Sequence, residues 1–168
     1  MSKTVAIYPG TFDPVTNGHV HIVKRSLKLF DKVIIAVAND NYKSTIFSTA
    51  ERVELMEKCF EDEPNVEVDI FSGLIADYSV EKNAHALIRG LRAISDFEYE
   101  MQMAAMNRTL NSELETIFLM TDAKYSFISS TIIKNVACLG GEIRTLVPVV
   151  VVKALEEKYQ KESKYYGE

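Results

Sequence analysis

Residues 5–38 read VAIYPGTFDPVTNGHVHIVKRSLKLFDKVIIAVA, a stretch that separates into three segments of different period. Positions 5–8 and 33–38 are short, β-branched apolar runs of strand type. Between them Val20, Val23, Leu27 and Phe30 recur at three- and four-residue intervals, with Lys24, Arg25 and Lys28 on the other side, which predicts an amphipathic helix. A strand, a helix and a second strand in so short a span imply two parallel strands joined by a crossover.

The alternation continues outward from this unit. Further strand-like runs occupy 66–71, 86–89 and 116–120. Ser48-Thr49-Ala50-Glu51 is a capping-box pattern that opens a helix reaching about Phe60. A third helix suits 74–83. Ser95-Asp96-Phe97-Glu98 offers another capping box, before a helix expected to carry Phe97, Met101 and Ala104 inward. Met101, Met103 and Met106 on that helix fit core packing or a subunit interface. Ser129 or Ser130 is placed to cap a helix through Cys138 that stops at Gly140-Gly141, and Pro148 stands where a last helix can start. From Glu156 onward the Lys-, Glu- and Tyr-rich chain reads as a solvated helix end that frays. The expected fold is a single Rossmann-like α/β domain over 1–168, a five-stranded parallel sheet with helices on both faces. Such sheets bind ligands beyond the carboxyl ends of their strands, here just after Tyr8, Ala38, Phe71, Arg89 and Met120.

A net charge of −5 argues against a protein that coats nucleic acid, though a few local cations can still build a phosphate site. Cys59 and Cys138 lack CxxC spacing and are expected to be reduced core thiols of a cytoplasmic protein. The chain runs into the first strand without a charged region and long apolar stretch, so no signal peptide is expected. The longest strongly apolar run, 146–152, is too short to span a bilayer and contains Pro148.

The residues that follow the strands carry the chemistry. After the first comes Pro9-Gly10-Thr11-Phe12-Asp13-Pro14-Val15-Thr16-Asn17-Gly18-His19, a loop that opens a helix near Gly18-His19. Backbone N–H groups at a helix start favour anions, so His19 and Thr11 are candidate phosphate donors; a tight loop with a surface histidine fits the residues as well. Neither GxGxxG nor GxxxxGK[ST] occurs, which disfavours a dinucleotide dehydrogenase and a P-loop NTPase. The segment 39–45 offers one basic residue, Lys43. The fourth strand ends in Leu87-Ile88-Arg89-Gly90-Leu91-Arg92, whose two guanidinium groups match phosphate oxygens, with salt bridging to Asp96, Glu98 or Glu100 as the alternative. Past the fifth strand, Ser129, Ser130 and Thr131 supply donors for a second phosphate or serve as a plain cap.

Together, Thr16-Asn17-Gly18-His19 and Ile128-Ser129-Ser130-Thr131 resemble the two signatures of the HxGH nucleotidyltransferases. The chain is more closely similar to bacterial phosphopantetheine adenylyltransferases, through YPGTFDPVTNGH (8–19), Lys43 ahead of Phe47, ERV (51–53), LIRGLRAISDFEYEMQMAAMNR (87–108) and YSFISST (125–131). The resemblance implies direct in-line attack of the 4′-phosphopantetheine phosphate on the α-phosphorus of ATP, giving dephospho-coenzyme A and pyrophosphate. It assigns catalysis to Thr11, His19, Lys43 and Arg92. The acceptor falls to Thr11, Lys43, Leu74, Ile75 and Arg89. ATP falls to Thr11, Phe12, His19, Gly90, Leu91, Arg92, Glu100 and the segment Tyr125, Ser126, Phe127, Ile128, Ser129, Ser130 and Thr131. Mg²⁺ is implied as a companion of ATP, with no metal-binding residues of the chain's own. A homohexamer inhibited by coenzyme A is implied too, with no nucleic-acid or membrane partner. Thr121-Asp122-Ala123 and the run 149–152 depart from the family pattern. Two rivals are a sister transferase with nicotinamide mononucleotide as acceptor or CTP as donor, and a nucleotide sensor that has lost its chemistry.

Overall fold

The five apolar runs are the five strands: β1 (Val5–Gly10), β2 (Lys32–Ala38), β3 (Val66–Phe71), β4 (Ala86–Leu91) and β5 (Glu115–Met120). The computed structural model describes residues 4–39, 44–92 and 94–165, with backbone alone for 94–96 and 161–165. All neighbours in the sheet are parallel and the order is β3-β2-β1-β4-β5. The chain therefore builds outward from β1 on one side and then on the other. The crevice where such an order reverses lies beyond the carboxyl end of β1.

Period-two alternation decides which side chains meet which layer. Ala6, Tyr8, Val33, Ile35, Val37 and Ile88 face the larger core, which α1 (Asn17–Ser26), α2 (Thr49–Cys59), α5 (Ser130–Cys138) and α6 (Val149–Tyr165) cover. Ile7, Ile34, Ala36 and Leu87 face the other way, against Tyr78 of α3 (Ile75–Glu81) and Leu114. On that second face α4 (Ile94–Leu110) lies by β5, with Phe97 and Phe118 edge-to-face at 5.8 Å. Helices thus stand on both faces, as expected.

Local chemistry explains most boundaries. Both halves of the Ser48/Glu51 capping box form at the start of α2. Ser129 caps α5, which stops ahead of Gly140, whose φ of 72° is the left-handed conformation glycine adopts freely. The atypical Thr121 is used: its N–H and hydroxyl both bond the Leu91 carbonyl, which ties β5 to the end of β4.

Five expectations need correction. Phe97 and Met101 are exposed, not inward, as are Met103 and Met106. α4 is apolar on several sides, so its pattern marks no single buried face. Ser95 does not cap α4, which begins one residue earlier at Ile94; the S-x-x-E spacing also suits a helical first turn. α1 ends at Ser26, and Phe30 joins the core through a turn in which its N–H bonds the Ser26 carbonyl. Cys138 is exposed, on the outer side of α5, while Cys59 is half-buried. The chain beyond Glu156 does not fray at once: α6 runs to Tyr165, held by Lys158 to Glu51 at 2.8 Å and by Tyr159 donating to the Lys134 carbonyl. Among the described residues no helix is long and apolar enough to cross a membrane.

Candidate active site

One cavity of about 980 Å³ opens at the carboxyl end of the sheet and touches every strand end singled out in the sequence. Its lining takes Tyr8 to Asp13 from the end of β1 and its loop, Ala38 from β2, Phe71 from β3, Arg89, Gly90 and Arg92 from β4, and Thr121 beyond β5. The starts of α1 and α5 close it, through Thr16, Gly18 and His19 on one side and Ser129, Ser130, Thr131 and Lys134 on the other. Ser130 Oγ donates to the Pro14 carbonyl at 2.8 Å, joining the start of α5 to the loop before α1, and the Asn17 N–H donates to the Leu146 carbonyl at 3.0 Å, joining the start of α1 to the segment ahead of α6. Both helix starts border one space; Asn17, His19 and Ile132 donate their N–H groups to the Leu146 carbonyl, Thr16 Oγ1 and Ser129 Oγ, and Gly18, Ser130 and Thr131 line the cavity, a setting that suits anionic ligands.

His19 is placed by its own helix. The Thr16 N–H donates to His19 Nδ1 at 3.0 Å, while Thr16 Oγ1 accepts from the His19 N–H at 3.4 Å. This is a capping box with imidazole in the place usually held by a carboxylate or amide. Because Nδ1 accepts, the neutral ring carries its proton on Nε2. Burial, and secondarily the Arg92 charge, holds the imidazole pKa down at about 4. At neutral pH His19 is thus an uncharged Nε2–H donor lining the cavity. Phe12 stacks edge-on against it at 5.1 Å, and Tyr8 stacks on Phe12 at 5.4 Å. Phe12 takes a left-handed φ of 51° to do so, in a loop whose Asp13–Pro14 peptide is cis. Gly10 makes room for that ring, since an added Cβ would stand 2.8 Å from Phe12 Cζ.

Arg89 is both a cavity cation and a salt-bridge partner. It lines the cavity, yet Glu100 engages it with two oxygens, Oε2 from Nε at 2.6 Å and Oε1 from Nη2 at 2.5 Å. Its Nη1 also donates to the Pro9 carbonyl. Arg92 is more exposed and donates to the Ile128 carbonyl at 3.3 Å.

Of the residues picked from the sequence, Thr11, Phe12, His19, Arg89, Gly90, Arg92, Glu100, Tyr125, Ile128, Ser129, Ser130 and Thr131 converge on the cavity. Leu74, Ile75, Leu91, Ser126 and Phe127 are not in its lining; Leu74 and Ile75 begin α3, past the end of β3. Phe12 is only 4% exposed, its ring packed against Tyr8, His19 and Gly10. Lys43 lies outside the described residues. Sequence reasoning missed Tyr8, Asp13, Tyr99 and Lys134. Lys134 had a signal: it stands one helical turn after Ser130 and so shares its face. Asp13 had none, because its partners, Lys134 at 2.6 Å and the N–H groups of Ile46 and Phe47, come from distant parts of the chain.

Comparison with known proteins agrees with this geometry. A family model described as cytidylyltransferase-like matches residues 7–136. The chain is 55% identical to a phosphopantetheine adenylyltransferase of Moorella thermoacetica, over 92% of this chain and 97% of that one. A second, from Caldanaerobacter subterraneus, is 52% identical over 94% of this chain and 98% of its own. A solved structure from Vibrio parahaemolyticus, described as a nicotinate-nucleotide adenylyltransferase, superposes with a TM-score of 0.66 at 18% identity, covering 98% and 96% of the two chains. At that identity the likeness speaks to the fold.

Proposed function

Since the chain belongs to the phosphopantetheine adenylyltransferases of the cytidylyltransferase-like family, we propose that it moves AMP from ATP to 4′-phosphopantetheine in coenzyme A biosynthesis. A phosphate oxygen of the acceptor attacks the α-phosphorus of ATP in line. One P–O bond forms to the acceptor, the bond to the bridging oxygen breaks, and pyrophosphate leaves with the electron pair. No enzyme nucleophile takes part, so catalysis consists of positioning and charge stabilisation.

The observation that carries this reading is the neutral, Nε2-protonated His19 between two helix starts. A fixed donor of this kind stabilises charge building on an α-phosphate oxygen without having to give up its proton. ATP takes the side formed by Gly90, Arg92, Glu100 and residues 125–131, with its outer phosphates at Ser129, Ser130 and Thr131. The acceptor phosphate takes the side of Thr11 and Arg89, with Lys43 assigned to it by the family resemblance alone. Mg²⁺ comes with ATP as part of the substrate; the cavity carboxylates Asp13 and Glu100 are each paired with a cation, Lys134 and Arg89. A cytoplasmic homohexamer inhibited by coenzyme A completes the proposal. The exposed Met101, Met103 and Met106 on α4 support the assembly.

The test is pyrophosphate release from MgATP by the purified chain, with and without 4′-phosphopantetheine, and with CTP or nicotinamide mononucleotide substituted in turn. Release that requires both ATP and 4′-phosphopantetheine is expected. Release with nicotinamide mononucleotide instead would move the chain to a sister activity, and none with any pair would leave a nucleotide-binding role.

A further inference from the structure

Thr11 and residues 44–47 belong to no strand or helix, yet Thr11, Ser44 and Thr45 line the acceptor side of the cavity. Something else has to hold them. Arg52, the middle residue of the ERV motif, sits in the first turn of α2 and is 3% exposed. Its guanidinium bonds neutral oxygens from separate segments. Nη1 donates to the Thr11 carbonyl at 2.7 Å and the Ala38 carbonyl at 2.9 Å, Nε to the Phe47 carbonyl at 3.3 Å, and Nη2 to Thr49 Oγ1 at 2.9 Å. One side chain thereby links the loop after β1, the end of β2 and the segment that leads into α2.

Asp13, 4% exposed, grips the same segment from the cavity side. Its carboxylate accepts the Ile46 N–H at 3.1 Å and the Phe47 N–H at 3.0 Å, and Lys134 of α5 neutralises it at 2.6 Å. Filling space beneath α2 requires only an apolar side chain. A rigid planar fork aimed at several carbonyls, opposed by a buried carboxylate on the neighbouring amides, fixes positions instead. Apart from the Lys134 anchor, the bonds of this clamp join the loop after β1, the end of β2 and the segment that opens α2; the cavity wall at Gly90, Arg92 and residues 125–131 receives none.

We propose that Arg52 and Asp13 are positioning residues for the acceptor half of the reaction, setting where Thr11 and the 44–47 segment stand relative to the acceptor phosphate. The inference rests on the adenylyl-transfer reading above. Neither side chain is a catalytic residue; both act through the backbone they hold.

The test compares Arg52→Lys, Asp13→Asn and their combination with the unaltered chain in steady-state kinetics for each substrate, alongside amide exchange at Ile46 and Phe47. Arg52→Lys keeps the charge and loses the fork. It is expected to lower kcat/KM for 4′-phosphopantetheine by ~10- to 100-fold, the scale at which small misplacements act, while KM for ATP stays within about twofold. Exchange at Ile46 and Phe47 should quicken, and the double variant should cost less than the two single losses combined, because both act on one segment. Thr49→Val, which removes the Nη2 acceptor together with the hydroxyl's own bond to Asn39 Oδ1, should show a smaller loss of the same kind and serves if the buried variants fail to fold. Lowered melting temperature with kcat and both KM values unchanged would make the clamp merely structural and overturn the proposal, as would an equal rise in both KM values. The unaltered chain reports separately on the reaction: if it releases no pyrophosphate with 4′-phosphopantetheine, the functional reading fails, whatever the exchange data show.

Discussion

His19 takes its orientation and tautomer from one bond, the Thr16 N–H to Nδ1, and its neutral state from burial and the nearby Arg92 charge. The ring is therefore a poor proton carrier and a well-fixed donor. His19→Ala is expected to lower kcat by ~10²–10³-fold, as loss of one transition-state donor does, with ATP affinity by equilibrium titration little changed. Its depressed pKa of about 4 also sets a pH signature. Between an unfolded value near ~6.5 and the folded value, the unfolded chain binds a proton that the folded chain refuses, so stability falls as pH drops through that window. Turnover should show no loss centred near ~6.5 in the wild-type chain; an acid limb there that disappears in His19→Gln would contradict the assigned protonation state. At this scale the sequence disclosed His19 as a helix-start residue and Arg89 as a cavity cation. The Arg89–Glu100 pairing was among the alternatives it offered, but the tautomer of His19 turns on the local geometry of Thr16, and the clamp of Arg52 and Asp13 on atoms the fold brings together from afar.

Among the elements, those with a local physical cause were legible. The β-branched runs are the strands to within two residues at either end, and the Ser48/Glu51 box opens α2 where its spacing says. Ser48→Ala removes the side-chain bond to the Glu51 N–H; it should cost ~1 kcal/mol and lower the melting temperature by about 2–4 °C in calorimetry. A loss within ~0.3 kcal/mol would mean that tertiary contacts, such as Lys158 with Glu51, fix this helix end without the cap. What was not legible is sheet order and the aim of α4. Alternation tells which side chains share a face but not which strands are neighbours, and α4 has apolar residues on too many sides to mark one as inner.

For the molecule as a whole, the two faces of the sheet are covered unequally. Phe97, Tyr99, Met101, Met103, Met106 and Leu110 on α4 stay exposed, beside Met120 at the end of β5. These exposed apolar side chains are the ones the proposed assembly would bury. Met101→Glu with Met106→Glu is expected to reduce the assembled mass in light scattering at micromolar concentration; an unchanged mass would place the contacts elsewhere on the chain. Strand order has a consequence in time as well. β1 pairs with β2 early in the chain, but its other edge waits for β4, where Ile7 meets Leu87. A chain emerging from the ribosome therefore completes β1-β2-β3 while the opposite edge of its central strand lies open. Until β4 has been made, that edge is a template for pairing with a neighbouring nascent chain, so the interval between synthesis of the two halves is when this protein is most exposed to aggregation.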